Sequence, residues 1–157
     1  MKKLVALMAL TAFAAPAFAE GDAAKGEKTF KKCKACHTIK NGDEVIYKGG
    51  KTGPNLYAVI GRTAGTAEGF KGYKKSLKAA GEKGLVWDEA NLAEYTKNPK
   101  DFLKAYLEDD KAKSGMSFKL KKGGEDVAAY IASVGPAVEA APAEATEEAA
   151  AEAPKAE

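Results

Sequence analysis

Cys33-Lys34-Ala35-Cys36-His37 holds both cysteines of the 157-residue chain and its single histidine. C-x-x-C-H is the attachment pattern of a c-type haem, in which two thioethers join the porphyrin vinyls and the adjacent imidazole takes an axial position on iron. The spacing follows from the chemistry. Two intervening residues let both sulfurs reach one side of the macrocycle, while the next residue turns its imidazole beneath the metal. A thioredoxin-type pair would be set beside a βαβ pattern, but the flanks here are rich in Lys and Gly with a helical rhythm. Structural zinc needs four nitrogen or sulfur ligands, and only Cys33, Cys36 and His37 are on offer. The bland alternatives are a plain disulfide or a chance pentapeptide, against which stands the whole Cys and His content of the chain falling in these five residues.

The sixth ligand follows from an inventory. His37 is already used, and Met1 and Met8 lie in a leader segment, so the mature chain has one methionine, Met116. Ser114-Gly115-Met116-Ser117-Phe118 sits in a Lys- and Gly-rich stretch without helical period, which suits a loop that presents a ligand. His37 and Met116 together would close both axial positions and raise the reduction potential, because a soft thioether favours ferrous iron. A closed iron moves electrons rather than binding substrates.

Met1-Lys2-Lys3, an apolar run from Leu4 to Phe13 and Ala17-Phe18-Ala19 form a secretory signal with an A-x-A cleavage site. The apolar run is too short to span a bilayer. Residues 1–19 are therefore expected to be removed and residues 20–135 to form one domain in the periplasm, where this kind of haem is attached. Residues 136–157 are Ala, Glu and Pro without an aromatic, a composition that cannot repay its ordering entropy and reads as a disordered tail.

Asp22 is a candidate N-cap for a helix in which Ala23, Gly26 and Phe30 share a face. Glycine there costs stability against alanine, so it predicts close helix packing. Residues 41–65 read as loop, and the Gly53-Pro54-Asn55 turn supplies in Pro54 a carbonyl for the second ring nitrogen of His37. Ser76 to Ala80 reads as a short helical turn. Asp88 caps a helix through Asn98 with Leu92 and Tyr95 on one face, Pro99 opens another carrying Phe102 and Tyr106, and Gly123 to Val134 forms the last. Helical periods dominate, so the domain is expected to be all-α.

Taken together, Gly26 and Phe30, the C-x-x-C-H pattern, Gly53-Pro54-Asn55-Leu56, Arg62, Tyr73, Trp87, Tyr95, Met116 with Phe118, and Val127 with Tyr130 resemble the class I c-type cytochromes, more narrowly the bacterial cytochrome c2 type. The resemblance spans about Gly21 to Gly135. It implies the small cytochrome c fold, with N- and C-terminal helices crossing at Gly26, Phe30, Val127 and Tyr130 around one covalently bound haem c. It also implies that Arg62, Tyr73 and Trp87 hold the propionates and that Tyr95 lies near the Met116 sulfur. Longer segments at 41–51 and 108–113 match the longer bacterial members.

The formal charge of +3 conceals a division. The leader carries two positive charges and the tail five net negative ones, so residues 20–135 carry +6. Lys31, Lys32 and Lys34 flank the attachment site, and Lys119 and Lys121 follow Met116. Lysines around an exposed haem edge steer a carrier to acidic partners in a short-lived complex. The expected function is that of a monomeric, non-enzymatic one-electron carrier in photosynthesis or respiration. Its donor would be a cytochrome bc complex, and its acceptor a photosynthetic reaction centre or a terminal cytochrome oxidase. Nucleic acid is not an expected partner of an exported chain. The rival reading is a haem enzyme or gas sensor with an open sixth position.

Overall fold

The computed structural model describes residues 21–136; the expected leader and all but the first residue of the expected tail lie outside them. Helix α1 (Ala23–Phe30) starts where Asp22 accepts a hydrogen bond from the Lys25 N–H at 3.0 Å. The Asp22 N–H in turn donates to Asp126 Oδ1 at 2.8 Å, tying the start of α1 to the last helix, α5 (Gly124–Val134). Phe30 at the end of α1 is fully buried and packs its ring 5.6 Å from Tyr130 of α5. Val127, Ala128 and Ile131 complete the buried face of α5. The expected crossing of the first and last helices is present.

Between them lie α2 (Lys75–Glu82), α3 (Glu89–Lys97) and α4 (Pro99–Leu107). Helix α2 is longer than the turn expected at Ser76 to Ala80. A reciprocal capping box opens α3: Asp88 Oδ1 accepts from the Asn91 N–H at 2.7 Å, and Asn91 Oδ1 accepts from the Asp88 N–H at 3.1 Å. Pro99 takes the first position of α4, where no backbone N–H is missed. At the other end of α4, Lys83 Nζ donates to the Tyr106 carbonyl at 3.0 Å, satisfying a terminal acceptor.

One segment differs from the sequence expectation. Residues 39–47, read as helix-free loop from Asn41 onward, form an antiparallel ribbon of β1 (Ile39–Asn41) and β2 (Glu44–Tyr47). The reason is local. Gly42 takes a left-handed φ of 54° in the two-residue loop between them, and Glu44-Val45-Ile46-Tyr47 has β-forming side chains. Ile39 is buried, and the Tyr47 ring meets Phe30 at 4.8 Å, whereas Val45 on the other face is 52% exposed. The ribbon is an annex to an otherwise helical fold.

Candidate haem site

Helix α1 does not stop cleanly at Phe30 but runs into turns, with the Cys33 N–H bonded to the Phe30 carbonyl at 2.7 Å and the His37 N–H to the Cys33 carbonyl at 3.0 Å. This winding sets Cys33, Cys36 and His37 on the wall of a cavity of about 270 Å³. The two cysteines are not joined in a disulfide, and Cys36 is exposed where Cys33 is half-buried. Burial pushes the Cys33 thiol up to about 11, and the neighbouring Cys36 adds to the rise. A disulfide oxidoreductase needs the opposite, a thiol pKa lowered toward neutrality.

His37 donates from Nδ1 to the Pro54 carbonyl at 2.8 Å, and its ring lines the cavity with no hydrogen bond to Nε2 among the described residues. Burial holds the imidazole pKa below its ordinary value, against the opposing pull of that hydrogen bond; a ring that donates from Nδ1 carries its acceptor lone pair on Nε2 in the neutral tautomer. The ring lies flat against Gly53: a β-carbon there would sit 2.7 Å from Nδ1 and 2.8 Å from Nε2. Only glycine fits.

Met116 lines the same cavity from the loop that precedes α5. Its N–H donates to Ser114 Oγ at 3.0 Å, and Ser114 Oγ is also 3.1 Å from the Tyr95 hydroxyl. Tyr95, on the buried face of α3, thus meets the Met116 loop through Ser114. Burial raises the Tyr95 phenol pKa, so it stays a neutral hydrogen-bonding group.

Arg62, Tyr73 and Trp87 also line the cavity. Arg62 and Trp87 are held side by side by backbone bonds, the Trp87 N–H to the Arg62 carbonyl at 3.0 Å and the Gly61 N–H to the Trp87 carbonyl at 2.7 Å. The guanidinium donates to the Tyr57 and Asn55 carbonyls at 3.2 and 3.0 Å. It has no carboxylate partner among the described residues. A partly buried cation without a counter-charge calls for an anionic group in the cavity, and a propionate meets that demand. Leu92, Val127 and Ile131 supply apolar wall. All nine residues singled out from the sequence therefore come to one cavity.

No protein-family model matches the chain. It is 61% identical over 131 residues to cytochrome c2 of Rhodobacter capsulatus, covering 82% of this chain and 93% of that protein. It is 58% identical over 134 residues to cytochrome c-551 of Roseobacter denitrificans, covering 85% and 95%. The solved structure of the Rhodobacter capsulatus cytochrome c2 superposes with a TM-score of 0.71 at 63% identity, over 73% of this chain and 98% of that one.

The chain is a class I c-type cytochrome. Its relatives are electron carriers, and it carries one haem c attached covalently through Cys33 and Cys36. The cavity fits that group in three independent respects: two cysteine sulfurs not joined to each other, an imidazole held through Nδ1 alone, and a guanidinium with no carboxylate partner among the described residues.

The surface of the cytochrome beside the cavity is basic. Lys32 from the attachment segment shares a shallow hollow with Lys119, Lys121 and Lys122 from the segment after Met116, and Phe118, 41% exposed, lies among them. Lys31 and Lys34 are exposed on the same turn as Lys32. None of these lysines is in an ion pair among the described residues. Sequence reasoning overlooked Lys74, which lines the cavity and whose Cγ would touch a β-carbon at Gly115 at 3.3 Å. The Lys71, Lys74, Lys75 and Lys78 cluster was the available signal.

Proposed function

We propose that this cytochrome is an exported, monomeric one-electron carrier whose iron is held by His37 and Met116. The observation that carries the reading is that a neutral imidazole, anchored through Nδ1 to Pro54, and the only methionine beyond the leader line the same cavity. The bound haem supplies a ferric/ferrous couple. His37 would donate its Nε2 lone pair, and Met116 its thioether, which favours the ferrous state. Arg62, Tyr73 and Trp87 would hold the propionates, Arg62 as counter-charge and the other two as hydrogen-bond donors. Tyr95 would steady the Met116 loop through Ser114. With both axial positions filled, the iron has no open position for a substrate, and the protein is not an enzyme on this reading.

The donor would be a quinol-oxidising cytochrome bc complex and the acceptor a photosynthetic reaction centre or a terminal oxidase, docked through Lys31, Lys32, Lys34, Lys119 and Lys121. The unpaired lysines of the shared hollow support this face. Residues 1–19 would be removed on export to the periplasm, 20–135 form the working domain, and 136–157 carry no part of the redox site. Among the described residues no helix is long and apolar enough to cross a membrane.

The deciding experiment is the ferric optical spectrum. A weak far-red sulfur-to-iron band is expected, with Met116→Ala abolishing it and lowering the potential. An unchanged spectrum in that variant would overturn the ligation. Flash-induced haem oxidation in membranes of the source cell would separate reaction centre from oxidase.

A further inference from the structure

Residues 36–40 and 53–57 run beside each other as if zipped. The Gly53 N–H donates to the Cys36 carbonyl at 2.8 Å, His37 Nδ1 to the Pro54 carbonyl at 2.8 Å, and the Leu56 N–H to the Thr38 carbonyl at 3.0 Å. The rung beyond these is made by a side chain. Asn55 Oδ1 accepts the Lys40 N–H at 3.0 Å, and Asn55 Nδ2 donates to the Lys40 carbonyl at 2.7 Å, so one amide pairs with β1 as a neighbouring strand would. Oδ1 also accepts the Tyr57 N–H at 3.1 Å, and the Asn55 main-chain carbonyl accepts from Arg62 Nη2 at 3.0 Å. Two donors to the oxygen and one carbonyl at the nitrogen fix the amide orientation, since the reverse would set like groups together. The half-buried Asn55 thus ties together the ribbon, the turn whose carbonyl holds His37, and the cationic wall of the cavity.

We propose that Asn55 is a positioning residue for His37: by locking the Pro54 carbonyl against the attachment segment, it sets the strength of the Nδ1–H bond and, through it, the basicity of the ligating nitrogen. This rests on His37 being the axial ligand. A residue that served stability alone would lower the unfolding midpoint without touching the imidazole. A positioning residue changes the imidazole first.

The test uses the haem-loaded, full-length protein and two variants. Asn55→Ala removes all three side-chain bonds. Asn55→Ser keeps an acceptor but cannot span to both groups of Lys40. Leu103→Ala, in α4, fully buried and not among the residues lining the cavity, serves as a destabilised control, with unfolding midpoints measured for all variants. In the ferrous protein, NMR reads solvent exchange of the His37 Nδ1 proton, and redox titration reads the midpoint. The expected result is exchange faster by at least about ten-fold in Asn55→Ala, less in Asn55→Ser, with an upward shift of the midpoint in both. Leu103→Ala should move neither. Unmoved exchange and midpoint, or equal movement in Leu103→Ala, would overturn the proposal. If Asn55→Ala does not mature, Asn55→Ser decides on the same two readouts. Ring-current-shifted His37 protons in the wild type report ligation separately: their absence would sink the ligand assignment, whereas their presence with unmoved exchange would sink the role of Asn55 alone.

Discussion

Gly26 of α1 and Tyr130 of α5 meet with no room for a β-carbon: one added to Gly26 would stand 2.7 Å from Tyr130 Cβ and collide with the Asp126 carbonyl. Backbone-to-backbone approach of this kind cannot relax by a rotamer change. Gly26→Ala gains about 1 kcal/mol of helix propensity, yet overpacking a tight contact costs about 1–3 kcal/mol, and here the obstacle is backbone. The two terms net to about 0–2 kcal/mol of destabilisation, and the immovable backbone puts the outcome toward the upper end, read as a lower urea midpoint of the haem protein. A stabilised Gly26→Ala would mean that the helices can part at no cost.

Pro54 presents its carbonyl to His37 at 2.8 Å from a ring-restricted turn. Pro54→Ala keeps the carbonyl and frees the backbone, so the bond should loosen without disappearing. The midpoint should shift, and the far-red band should fade at a lower temperature than in the wild type. Identical values for both would remove the turn from any role in tuning the iron.

Ser114 Oγ is shared by the Met116 N–H and the Tyr95 hydroxyl. Ser114→Ala strands both partners, and each stranded group costs about 1–3 kcal/mol where it is desolvated. Tyr95→Phe breaks only one of the two bonds and removes its own partner cleanly. The far-red band should therefore be lost under milder denaturing conditions in Ser114→Ala than in Tyr95→Phe. The reverse order would show that the phenol, not the serine, holds the loop.

Charge reversal tests the basic face. Replacing Lys32, Lys34, Lys119 or Lys121 by Glu should slow bimolecular electron transfer with little change in midpoint, and the wild-type rate should fall steeply with salt, since charges more than ~10 Å apart are largely screened at 0.1 M. Lys155, outside the described residues, is the control. Equal slowing by Lys155→Glu, or a rate indifferent to ionic strength, would refute docking through this face.

Much of this architecture is legible in short-range chemistry. Asp22, Asp88 and Pro99 announce helix starts because capping and ring closure act within four residues, and the C-x-x-C-H pattern announces haem because its spacing is set by the macrocycle. The propensity cost of Gly26 hints at close helix packing, but its partner on the last helix comes from the family resemblance rather than from the residue itself. The ribbon at 39–47 was hidden by its shortness and by the Gly-rich composition around it, although Asn41-Gly42-Asp43 carried a turn signal. Asn55 read only as a turn residue, because its bonds to Lys40 exist once two segments lie side by side. The approach of Lys74 to Gly115 is likewise a product of tertiary folding, which the lysine cluster from 71 to 78 signals as a basic stretch but not as a neighbour of the Met116 loop.

The half-buried Cys33 bears on biosynthesis. In the folded chain its thiol is pushed up to about 11, and the thiolate, the attacking species in sulfur chemistry, is scarce. In an extended chain the burial is gone, and the thiol returns toward its ordinary acidity. Thioether formation is therefore easiest before collapse, while Cys33 is still in water.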